Sequence, residues 1–139
     1  MNKQTRGERN NNPGNLRRTS VKWQGMSDAQ SDINFITFKN ATWGIRALAK
    51  TLITYYHMHE LRTVAAIIDR WAPTNENDTH AYINAVSGDM RVSPSDLINL
   101  ESNTTLEALV RAIIKHENGR IAYDDETLQS GVDSALAKT

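Results

Sequence analysis

The stretch RAIIKHENGR, residues 111–120, puts a carboxylate where acid chemistry is possible. Counting back from Glu117 in helical steps reaches Ile114, Ile113, Val110, Leu109 and Leu106, so the side chain lies along an apolar stripe. Burial strips solvation from a carboxylate, and the last turn of a helix presents the negative end of its dipole. Both effects favour the protonated form, from which a general acid works. The structural alternative is an ion pair with Arg111, Lys115 or Arg120, or simple contact with water.

Positioning that carboxylate requires helices, and the spacing of apolar residues predicts them. Ile45, Leu48, Leu52, Tyr55 and Tyr56 recur at threes and fours, giving a central helix from Thr42 to near His59. TVAAIIDRWA forms a second, with Thr63 as N-cap and Pro73 closing it, and DTHAYINAV a third, capped by Asp78 or Thr79. Ser93, Pro94 and Asp96 predict the first turn of a fourth. Thr104 and Glu107 read as a capping box for the helix that carries Glu117, with Gly119 as its left-handed C-cap. A final helix runs from Asp125 to about Ala137, weakened by Gly131 in its interior. Ahead of these, the Asn-, Arg- and Gly-rich segment to about residue 20 reads as loop, with a turn at Asn-Pro-Gly-Asn. VKW and INFITF form a short hairpin. The expected class is mainly α (α+β), one domain over residues 1–139.

Composition narrows the partners. Sixteen basic residues balance sixteen acidic ones, so no global field gathers nucleic acid or an anionic membrane. Cysteine is absent, which removes disulfides and thiolate metal sites. His57 and His59 point apart on a helix and H-E-x-x-H does not occur, so neither metal nor cofactor is expected. The polar N-terminus lacks the apolar core of a secretion signal, and no run approaches the roughly 20 apolar residues of a membrane span. The expectation is a product of the host cytoplasm without membrane insertion.

The A-I-I-x-x-E-N-G pattern at Glu117 resembles the acid helix of the lysozyme superfamily, which includes goose-type lysozymes, lytic transglycosylases and related glucosaminidases. NNNPGNL (10–16) is similar to the Asn- and Gly-containing loop that faces the acid in those enzymes, and WQG and FITFK to the segment after it. ENDTHAYINAV (76–86) resembles the transglycosylase motif in which a Thr precedes a site-lining Tyr. The order differs: here the loop comes first and the acid helix last, as a circular permutation would leave them. The whole pattern from RGERNNNPGN through WAP-x-x-E-N-x-T-x-x-Y-I to HENG is similar to small phage proteins of virion-structural or lysozyme-like type.

The resemblance implies a lysozyme-like helical domain that cleaves peptidoglycan between N-acetylmuramic acid and N-acetylglucosamine. Glu117 would protonate the leaving oxygen, and Tyr82 would hydrogen-bond near it. A second carboxylate would come from Asp28, Asp32 or Glu8. Some of the resembled enzymes need none, because the substrate's own acetamido group assists and a 1,6-anhydro product forms. Asn12 and Asn15 could donate to acetamido groups, and Trp23 and Trp71 could stack on sugar faces. Each has an ordinary role beside it: turn chemistry for the asparagines, core packing for Tyr82 and the tryptophans, and a salt bridge for Glu8. Two other classes stay open. One is a non-catalytic virion protein that contacts other virion proteins. The other is a nucleic-acid-binding domain using Arg6, Arg9, Arg17, Arg18 and Lys22, which the neutral charge disfavours. The expected site of action is the bacterial cell wall, reached as a virion component or as a released endolysin.

Overall fold

In the computed structural model, which describes residues 3–137, helices carry the regular structure. The first, α1 (Arg6–Arg9), falls where composition predicts loop, and Thr5 is the reason. Its hydroxyl accepts from the Glu8 amide at 3.1 Å, and the Glu8 carboxylate accepts from the Thr5 amide at 3.0 Å. This reciprocal capping box closes a single turn. The central helix, α2 (Ala41–Met58), starts from Asn40, whose side chain accepts from the Trp43 amide. Thr63 caps α3 (Val64–Trp71), and Asp78 caps α4 (Thr79–Met90), which runs past the expected end at Val86. Next come α5 (Asn103–Asn118) and α6 (Asp125–Leu136).

Three local expectations are corrected. The cap of α5 is Ser102, which accepts from the Thr105 amide, rather than Thr104. Glu107 turns to Arg111 one helical turn on, at 2.9 Å. Ser93-Pro94 begins one turn and no helix, because the Asp96 carboxylate folds back onto the Ser93 amide at 2.8 Å and the chain then extends through Leu97–Asn99. The VKW/INFITF hairpin is absent among the described residues. Isolated antiparallel bridges join Arg17 to Phe35 and Met26 to Phe38 instead, and the Asp32 side chain holds the turn by accepting from the amides of Asn34 and Phe35.

The main core is assembled from the inward faces of α2 to α6, with Leu48, Leu52, Ile67, Leu106, Leu109 and Ile113 at its centre. α6 lies along α2, and Gly131 makes this possible. A Cβ there would stand 2.5 Å from the Ile45 Cγ2, so the residue that weakens the helix intrinsically sets how closely two helices approach. A second, smaller core gathers Ile36, Phe38 and Ala47 under Leu16, Trp23, Met26 and Trp43, fixing the N-terminal segment against the outer face of α2. The buried positions there are Ile36 and Phe38, while Ile33 is exposed.

Candidate functional site

α5 ends at Gly119, whose left-handed backbone (φ 76°) and amide bond to the Lys115 carbonyl stop the helix just beyond Glu117. The bases that could neutralise Glu117 are engaged elsewhere. Arg111 holds Glu107 and Asp125, Lys115 faces Asp89, and Arg120 holds Glu8. Glu117 points into a cleft of about 330 Å³ and receives two neutral donors there. The Tyr82 hydroxyl donates to Oε2 at 2.7 Å, and Asn15 Nδ2 donates to Oε1 at 3.1 Å.

Tyr82 lies in the core at 2% exposure, outside the cleft lining, with its hydroxyl against the Glu117 carboxylate. The Trp71 indole N–H donates to that hydroxyl at 3.0 Å. An indole can only donate, so the phenol must accept from Trp71, and its one proton is thereby aimed at Glu117. Burial, and then the adjacent Glu117 carboxylate, push the Tyr82 phenol far above its ordinary pKa, so it stays a neutral donor throughout the working pH range. His116 stacks on the ring of Tyr82 at a centroid distance of 3.7 Å.

The N-terminal loop reaches this point because α5 holds it. Asn118 Nδ2 donates to the Pro13 carbonyl at 2.8 Å, and Asn118 Oδ1 accepts from the Thr5 hydroxyl at 2.6 Å. Arg120 forks onto the Glu8 carboxylate at 2.7 and 3.1 Å. The loop passes so close to α2 that the Asn11 carbonyl oxygen occupies the place of a side chain on Gly44. Asn11 and Asn15 both adopt positive φ (52°), which asparagine tolerates better than most residues. The remaining cleft wall is formed by Arg17 and Phe35, Thr51 and Tyr55 from α2, Trp71 at the end of α3, and Glu76 and Asn77 after it.

The structure therefore brings together Glu117, Tyr82, Asn15 and Trp71. It separates the others from the cleft lining. Asn12 is fully buried, its amide nitrogen donates to the carbonyls of Leu16 and Ile36, and its oxygen accepts from the Leu16 amide, so turn chemistry consumes it. Trp23 belongs to the smaller core. Glu8 is buried in its pair with Arg120, whose hydrogen bonds hold the carboxyl below the ordinary range. Asp32 takes two hydrogen bonds from Arg6 at 2.7 Å and one from Asn10, which likewise keep it well below that range. Asp28 is exposed and lies outside the cleft lining. Glu76 was absent from the residues proposed on sequence. It sits in the WAP-x-x-E-N segment, but an exposed Glu in a polar loop carries no periodic signal.

Among the described residues no helix is long and apolar enough to cross a membrane. The fold and site define a mainly helical protein with a cleft built around one buttressed carboxylate. No family model matches the chain. Protein P5 of Pseudoalteromonas phage PM2 is 37% identical over 136 residues, spanning 96% of this chain and 83% of the relative. The chain belongs to the family of that phage protein.

Proposed function

We propose that the protein is a phage glycosidase acting on peptidoglycan, a lysozyme-like domain in permuted order that cleaves between N-acetylmuramic acid and N-acetylglucosamine. The observation that carries this reading is the Trp71–Tyr82–Glu117 chain of hydrogen bonds, which runs from one cleft-lining residue to another and holds a carboxyl group uncompensated by any base of its own helix. A carboxyl so placed can protonate a leaving glycosidic oxygen while the anomeric carbon gains positive character. Trp71 and Tyr55 are aromatic residues of the cleft lining, the type that stacks on sugars, and Asn15 lies beside the acid. The partner is a glycan strand of the bacterial cell wall, met by a virion component or by a released endolysin.

The test is cleavage of purified peptidoglycan by the full chain and by Glu117→Gln, with products identified by mass. Loss of proton donation should lower the rate by at least about 10²-fold with folding retained. Full activity in Glu117→Gln removes the acid role. An inactive wild type leaves the second reading, a non-catalytic virion protein; the likeness to a phage protein fits either reading.

A further inference from the structure

The cleft that holds Glu117 contains a second carboxylate, and it is none of those the sequence suggests. We infer that Glu76 is the general base that takes a proton from the attacking water; this rests on the glycosidase reading of Glu117. Among the described residues lining the cleft, Glu76 and Glu117 are the carboxylates. Glu8 and Asp32 are held by Arg120 and Arg6, and Asp28 lies outside.

The two carboxylates sit in different surroundings. Glu117 is half-buried and receives hydrogen bonds from Tyr82 and Asn15. The Glu76 side chain is 53% exposed, and its ion pair with Arg17 is loose, at 3.9 Å. One group is fixed and shielded, while the other meets the solvent from which a water would come. The loop that carries Glu76 is itself anchored. The Glu76 amide donates to the Pro73 carbonyl at 3.1 Å, and the buried Thr79 hydroxyl donates to the Ala72 carbonyl.

In the step, the bond between the anomeric carbon and the glycosidic oxygen breaks, and that oxygen takes the proton of Glu117. Water oxygen bonds to the anomeric carbon from the opposite face and gives its proton to Glu76. The sum is hydrolysis with inversion, and exchange of one proton through solvent restores both carboxyl groups.

The experiment uses the full chain, Glu76→Gln and Glu117→Gln on purified peptidoglycan, with thermal unfolding as a folding control. Product ends are read by mass, and anomeric configuration by NMR at early times. Wild type should yield reducing ends of inverted configuration. Glu76→Gln should keep its melting temperature and KM and lose kcat by at least about 10²-fold. Added azide, which needs no deprotonation, should restore turnover in Glu76→Gln and leave Glu117→Gln inactive. Undiminished kcat in Glu76→Gln beside a dead Glu117→Gln overturns the base and leaves the acid standing. Retained configuration or 1,6-anhydro ends do the same. No cleavage by the wild type overturns both assignments.

Discussion

The Asn118 side chain donates to the carbonyl of Pro13 at 2.8 Å across 105 residues of chain. Asn118 follows Glu117 on α5, and Pro13 lies two residues before Asn15, so this bond sets the distance at which Asn15 meets the carboxylate. Through Thr5 the same side chain also fixes the start of α1. The polar floor of the cleft and the fastening of the N-terminal segment are thus one network, and changes in it act on shape and on chemistry together.

Tyr82→Phe reads both effects in one variant. The substitution leaves the ring and its stacking on His116 but removes the acceptor of the Trp71 N–H and the donor to Glu117. The unpaired indole should cost about 1–3 kcal/mol in urea unfolding. The loosened carboxyl should lower kcat by up to about 10²-fold, the scale of a misplaced catalytic group. A variant that is less stable yet fully active would reduce Tyr82 to a core residue.

Gly44→Ala probes the seat of the loop. The added Cβ would lie 1.8 Å from the Asn11 carbonyl oxygen, and backbone on both sides leaves no side chain to move aside. The loop must lift, at a cost of about 1–3 kcal/mol typical of overpacking. Asn15 should lose its bond to Glu117 as it goes, read as faster amide exchange over Asn11–Asn15 and lower activity.

Gly131→Ala is the contrasting case. Alanine gains about 1 kcal/mol of helix propensity over glycine, yet its Cβ would press on Ile45 at 2.5 Å. The melting temperature should fall, while activity at low temperature stays near that of the wild type, because the α2–α6 contact lies away from the cleft. A rise in melting temperature would mean that the helices can part without loss.

Acid should loosen the N-terminal segment first. Glu8 and Asp32 both titrate below their unfolded values of about 4.3 and 3.9, Glu8 through Arg120 and Asp32 through Arg6. Their contribution to stability is therefore complete above about pH 4.5 and is lost as pH falls through the folded values. Melting temperature should decline below about pH 4.5. Glu8→Gln should flatten part of that decline while lowering the plateau at neutral pH. An unchanged acid limb would show the Glu8–Arg120 pair to be dispensable.

Most helices were legible because local signals agreed with packing. Thr63 and Asp78 start their helices through side-chain caps and Gly119 ends its own through a left-handed backbone, as the residue types predict, and the stripe ending at Glu117 is the one buried. α1 was not legible, since one turn has no periodicity and depends on the Thr5–Glu8 exchange. Nor was the irregular segment before α2, where Asp32 and Asn12 spend their polar atoms on backbone in place of strand pairing. In the cleft, Glu117, Tyr82, Asn15 and Trp71 carried either periodicity or a motif. Glu76 stood inside the WAP-x-x-E-N motif but without periodicity, and its place in the cleft is a tertiary property that a polar loop residue does not announce.

The links that seat the N-terminal segment on the end of α5 join residues 5 to 15 with residues 117 to 120, over separations of 102 to 113 residues. Closing a loop of that length carries an entropic cost on the order of 4 kcal/mol, to be met before any of those bonds can form. In these links a nascent chain has no partner for residues 5 to 15 until the end of α5 has been made. A chain cut short of residue 117 lacks Glu117, Asn118 and Arg120 and so can make none of these links.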